Sequence, residues 1–179
     1  MELFPWKRYF ATGFNKVDKQ HLQLVRLINQ FGNLLLQNQL LTADIERILE
    51  ELQAYALYHF QEEEKLMEEA GIDPRFFAQH KEAHQEFTLK VKCMQNEISI
   101  EDKAAIRQLL EFLTHWLIYH ILDLDQKMAR QISAIKNGST AEQAFQAEKN
   151  GDNNANGALL HTLNYLFQQV TQRNKELYQ

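Results

Sequence analysis

An all-α protein is what the sequence predicts, built as an antiparallel up-down-up-down four-helix bundle with additional C-terminal helices. Three observations predict it. Only 6 Gly and 2 Pro interrupt 179 residues, so turns are few and long helices are favoured over strands. Apolar residues recur every three or four positions through four long stretches, the signature of helices with one buried face. Short polar segments join these stretches, and short connections make successive helices antiparallel neighbours.

The first helix is expected from about Asp18 to Gln37, with His21, Leu24, Val25, Ile28, Phe31 and Leu35 on one face. Gly32 weakens it without ending it. Thr42 suits the N-cap of a second helix, whose inner face runs from Ile45 through Leu52, Ala56, His59 and Glu63 to Met67 and which stops at Gly71. Asp73-Pro74 restarts the chain as N-cap and first helical residue. Phe76, His80, His84, Phe87, Val91 and Ile98 then line a third helix, and Ser99 offers a cap for the fourth, which reads from Ile106 through Leu113, Leu117 and His120 to about Ile135.

Composition changes after Asn137-Gly138. Ser139-Thr140-Ala141-Glu142 reads as a capping box opening a short helix, and Lys149 to Gly157 is a polar break. A boundary is expected there, between a bundle domain over 1–137 and a linker with a C-terminal signalling-type helix over 138–179. In the latter, Leu160, Leu163, Phe167, Val170, Asn174 and Leu177 follow coiled-coil spacing, which would suit homodimerisation; packing of this helix on the bundle is the alternative.

A net charge of −5 with scattered Lys and Arg leaves no basic footprint for nucleic acid. No secretory leader opens the chain and no apolar run reaches membrane-span length. A single cysteine, Cys93, excludes an internal disulfide and reads as a small apolar filler. Together these features predict a cytoplasmic protein bound neither to nucleic acid nor to a membrane.

Seven histidines call for an explanation. His21, His59, His80, His84 and His120 all fall on core-facing stripes, and every helix supplies at least one. His59 and Glu63 are i and i+4, as are His80 and His84, so each pair projects from one helix face. Unpaired imidazoles and carboxylates in a bundle core would cost several kcal/mol in desolvation, which metal coordination offsets. Lys81 follows His80, so the pair is not the zincin motif. No Glu-x-x-His occurs either, which removes the ferritin-like di-iron pattern. Five imidazoles exceed one tetrahedral zinc and suit two imidazole-favouring transition metals, iron foremost. For a carboxylate near His120, ideal helical spacing selects Asp123 at i+3 over Asp125 at i+5.

The strings Val17-Asp18-Lys19-Gln20-His21, His59-Phe60-Gln61-Glu62-Glu63, His80-Lys81-Glu82-Ala83-His84 and Trp116-Leu117-Ile118-Tyr119-His120, with Asp125 five residues on, together resemble a bacterial hemerythrin domain over about residues 10 to 132. The resemblance implies two non-haem irons with a bridging oxo or hydroxo group, His80, His84 and His120 on one, His21 and His59 on the other, Glu63 and Asp125 bridging. It also implies reversible O2 binding, with azide or other small anions as analogues. Taking Asp125 requires a local π-bulge after His120. One coordination position would then stay open on the iron with two His, beside an apolar pocket for which Leu24, Phe60, Trp116 and Leu117 are the candidates. His115 and His161 lie outside the pattern and read as ordinary residues.

Resemblance also bears on use. Hemerythrin domains of this kind precede coiled helices and output domains in bacterial signalling proteins, diguanylate cyclases making cyclic di-GMP among them. The expectation is therefore a non-enzymatic oxygen or redox sensor, the N-terminal input module of a longer protein whose output domain is absent from this chain. A standalone O2 carrier or store is the alternative.

Overall fold

The computed structural model describes residues 4–36, 42–97, 102–151, 159 and 163. Their helices are α1 (Asn15–Leu35), α2 (Thr42–Ala70), α3 (Pro74–Glu97), α4 (Lys103–His120), a π turn (Ile121–Asp125), α5 (Gln126–Lys136) and α6 (Ala141–Gly151), after a short 3-10 turn at Arg8–Phe10. No strand occurs among the described residues.

Two apolar clusters fix how the helices run. One contains Leu24 and Ile28 of α1, Leu52 and Phe60 of α2, Phe87 and Val91 of α3, and Leu113 and Leu117 of α4. The other contains Val17 of α1, Met67 of α2, Phe76 of α3, and Leu124 and Met128 beyond α4. Travelling along the chain, α1 passes from the second cluster to the first, α2 returns, α3 passes back and α4 returns again. This alternation is the antiparallel up-down-up-down bundle, with α1 against α2 and α4 and α3 against α2 and α4. Between the clusters lies a polar layer carrying the histidines.

Helix ends show why the turns fall where they do. Gly71 ends α2 at φ +65, and the amide of Ile72 donates to Met67 O at 3.2 Å, closing a Schellman-type cap whose two apolar residues pack in one cluster. Asp73 accepts the Arg75 amide at 2.9 Å as the N-cap of α3. Several ends differ from expectation. α1 starts at Asn15, a turn early, and Asp18 ties the preceding arm down by accepting from Thr12 N at 2.7 Å and Gly13 N at 3.2 Å. α4 is capped by Asp102, whose side chain accepts from Ala104 N and Ala105 N at 3.0 Å; Ser99 lies outside the described residues. The box before α6 is Thr140 with Gln143 rather than Ser139 with Glu142: each side chain accepts the other's amide, at 3.1 and 2.9 Å. Cys93 is exposed, not core filler.

α6 does not stand away from the bundle. Its Phe145 joins Phe76, Met128 and Ile132 in the second cluster, Arg75 pairs with Glu142, and Arg130 holds Glu148 at 2.7 and 2.9 Å. Leu159 and Leu163 are helical and exposed; the remaining positions of the expected coiled-coil seam (Leu160, Phe167, Val170, Asn174, Leu177) and His161 lie outside the described residues. No described helix is long and apolar enough to cross a membrane.

Candidate metal centre

The inward stripes of α1 to α4 deliver His21, His59, Glu63, His80, His84 and His120 into the polar layer, and the π turn adds Asp125. All seven are at most 2% exposed. They form two groups of mutually close donor atoms, Glu63 with His80, His84 and His120, and Glu63 with His21, His59 and Asp125.

Both carboxylates span the groups. Glu63 Oε1 lies 3.6 Å from His21 Nε2 and 3.4 Å from His59 Nε2, while its Oε2 lies 3.5 Å from His80 Nε2 and 3.3 Å from His84 Nε2. Asp125 Oδ2 lies 3.0 Å from His21 Nε2, and its Oδ1 lies 3.2 Å from His80 Nε2 and 3.1 Å from His120 Nε2. Asp125 therefore reaches imidazoles of both groups.

Proximity here is not hydrogen bonding. Both oxygens of Glu63 and of Asp125, both ring nitrogens of His21 and Nε2 of His59 have no hydrogen-bond partner among the described residues. Lone pairs converge on common points without protons aligned between them, an arrangement too costly to keep buried unless cations occupy those points. The spacing also suggests the coordination angle. Nε2 of His120 is 3.1 Å from Nε2 of both His80 and His84; donors ~2.1 Å from one ion stand ~3.0 Å apart at right angles and ~3.4 Å apart at the tetrahedral angle. Right angles suit six-coordinate transition metals. The residues fit a two-metal centre.

Electrostatics agree. Burial alone would lower His21 and His80, but the adjacent carboxylates of Asp125 and Glu63 carry each up to about 9. His59, dominated by burial, falls to about 4, and burial likewise lowers His120. Burial would raise the two carboxyls, yet His59 and the imidazoles around Glu63, and His120 and His21 beside Asp125, hold both well below the usual range.

Ideal spacing selected Asp123, and the structure places it elsewhere: its carboxylate lies 2.7 Å from Lys127 Nζ. His115 is half-buried on α4 and in neither group. Leu24, Phe60, Trp116 and Leu117 share one cavity with Leu52 and Leu113, about 10 Å³ in volume, room for one water-sized molecule. Phe60 stacks on His84 at 3.9 Å and Trp116 on His120 at 4.3 Å, so its aromatic walls touch the three-imidazole group, while Leu24 comes from the helix bearing His21. On the other side, Trp6 of the N-terminal arm approaches His21 at 6.3 Å between ring centroids. Sequence reading missed that arm, whose attachment through Asn29 and Gln126 to backbone atoms leaves no pattern along the chain.

A model of the hemerythrin HHE cation-binding domain matches residues 12–132, the span that holds all seven residues. A bacteriohemerythrin of Clostridium acetobutylicum is 33% identical over 129 residues, 70% of this chain and 98% of that protein. One from Stenotrophomonas maltophilia is 30% identical over 137 residues, 76% of this chain and 86% of its own length. Another, from Pseudomonas aeruginosa, is 32% identical over 120 residues, 67% of this chain and 75% of that protein.

Proposed function

The chain belongs to the hemerythrin family, and from that premise we propose that it binds O2 reversibly at two non-haem irons and serves as an oxygen or redox sensor input module rather than an enzyme. One observation carries the metal reading: Glu63 and Asp125 each turn one oxygen to each imidazole group. On this reading His80, His84 and His120 hold one iron, His21 and His59 the other, and the two carboxylates bridge them. Two irons with a bridging oxo or hydroxo group would supply reversible electron exchange with O2. The protein's part is to aim the donors and to exclude water. Apolar packing on both sides of the polar layer does the second, and the cavity at Leu24, Phe60, Trp116 and Leu117, about 10 Å³ in volume, leaves room there for one water-sized molecule.

Support for the sensor reading comes from continuity. His120 and Asp125 sit in one uninterrupted run from α4 through the π turn to α5, and α5 and α3 together hold α6. A shift in how Asp125 is held would be passed to α6 and to the connecting segment 138–179, and so to an output such as cyclic di-GMP synthesis. Cytoplasm is the compartment we assign, in keeping with the unpaired Cys93. The second reading, a standalone O2 carrier or store, is favoured by the clostridial relative, 98% of which is covered by the matched region.

The test is metal content and spectrum. Purified protein should hold two irons per chain, and its oxidised form should show near-ultraviolet charge-transfer bands that shift with azide. One zinc per chain, or no iron, overturns the reading.

A further inference from the structure

The imidazoles are not all held alike from behind. His59 Nδ1, facing away from the cluster, lies 3.0 Å from Gln20 Oε1, and His84 Nδ1 lies 3.3 Å from Glu64 Oε1. The outward nitrogens of His21 and His80 have no hydrogen-bond partner among the described residues. Each group thus contains an imidazole anchored by a side chain. We propose that Gln20 and Glu64 are positioning residues that orient His59 and His84 for metal binding, and that the neutral amide on one and the carboxylate on the other add a difference in donor strength to two positions already unequal in their number of imidazoles. This rests on the two-metal reading above.

The chemistry follows from donors and acceptors. A carboxylate can only accept, so the partner of Glu64 is an Nδ1–H, which leaves Nε2 of His84 as a lone pair facing inward. The Gln20 carbonyl oxygen imposes the same tautomer on His59. Were the Gln20 amide reversed, its NH2 would drive the His59 proton to Nε2 and block ligation; its carbonyl orientation matches an Nε2 with no hydrogen-bond partner among the described residues. Gln20 is 4% exposed, so this placement is not a surface accident. A carboxylate acceptor strengthens the imidazole behind which it stands more than an amide does. Glu64 reaches His84 with one oxygen while the other lies 3.5 Å from Lys81 Nζ, which tethers it to α3. The competing role for Glu64 is that ion pair alone, a tie between α2 and α3.

The experiment titrates the metal-free full chain with Co2+, followed by visible absorption, with 15N shifts of the histidine rings read in the zinc-loaded protein. Wild type should take up two Co2+ per chain. Glu64→Leu should weaken one ion by about 10–100-fold and leave the other unchanged, and Gln20→Leu should weaken the other. Glu64→Gln, which keeps an acceptor but no charge, should fall between wild type and Glu64→Leu and retain the His84 Nδ1–H signal. Lys81→Ala should leave both ions bound. If Glu64→Leu and Gln20→Leu bind as wild type does, or if Lys81→Ala reproduces Glu64→Leu, the positioning role is overturned. Wild type binding fewer than two ions would instead defeat the two-metal reading itself.

Discussion

Asp125 lies five residues after His120, yet its Oδ1 stands 3.1 Å from His120 Nε2. In an α-helix those positions point about 140° apart at 100° per residue. Residues Ile121–Asp125 instead form a π turn, with the Gln126 amide donating to Ile121 O, and the extra residue brings the fifth position round to the face of the first. Asp123, at the spacing an ideal helix would favour, is left to pair with Lys127.

Replacement of the two aspartates should therefore separate metal binding from stability. Asp125→Ala removes an oxygen from each group and should lose at least one iron per chain. Asp123→Ala should keep two irons and the azide-sensitive bands. Its cost is the loss of a largely buried partner for Lys127, about 1–3 kcal/mol, or a fall in Tm of roughly 2–10 °C. Metal analysis and thermal melts of both variants check this; iron loss in Asp123→Ala with retention in Asp125→Ala contradicts it.

Ligand removal should sort the histidines in the same way. His84→Ala and Glu63→Ala each take a donor from the centre and should abolish the two-iron spectrum, whereas His115→Ala, outside both groups, should keep it. Iron analysis of the three variants decides whether the list of donors is right.

Acidity supplies a third expectation, for the metal-free protein. His21 and His80 are raised to about 9 in the fold, above their unfolded value of about 6.5. Their protonation therefore contributes stability that is fully present below pH 6.5 and is lost as pH rises through 9. His59, lowered to about 4, has the opposite sign: its contribution is present above pH 6.5 and lost as pH falls through 4. Melting temperatures of the metal-free protein should thus decline on both sides of neutrality. In the metal-loaded protein the same imidazoles hold metal instead of protons, so the alkaline decline should be much smaller. Equal alkaline slopes with and without metal would remove these imidazoles from the centre.

Much of this was legible in sequence because it repeats. The four stripes and the i, i+4 pairs His59/Glu63 and His80/His84 follow helical periodicity, so fold class and most of the polar layer could be read from spacing. Asp125 could not, since a π turn breaks the period on which such reading depends, and only the resemblance pointed to it. Gln20 and Glu64 were hidden for another reason. Each adjoins a cluster residue in sequence, and nothing in a stripe distinguishes a side chain that touches the far edge of a neighbouring helix's imidazole from one that faces water. Helix starts failed where several caps competed, as with Asp102 against Ser99.

Sensor and carrier differ in whether α6 responds to the state of the centre. If the centre signals, a change in how Asp125 is held must alter the packing of α5, because Met128 and Ile132 follow it by one and two turns and share a cluster with Phe145. The response should appear as a difference in amide hydrogen exchange over residues 126–151 among diferrous, O2-exposed and diferric protein. Phe145→Ala provides the control. It removes the apolar contact of α6, at a cost of about 3–5 kcal/mol if the site cannot collapse, but touches no donor atom, so two irons and the azide-sensitive bands should remain while the state dependence over 141–151 is lost. A state-dependent difference that disappears in Phe145→Ala assigns transmission to α6. Identical exchange in all three states of the wild type leaves Asp125 with no lever on α6, and overturns the sensor reading in favour of an O2 carrier or store.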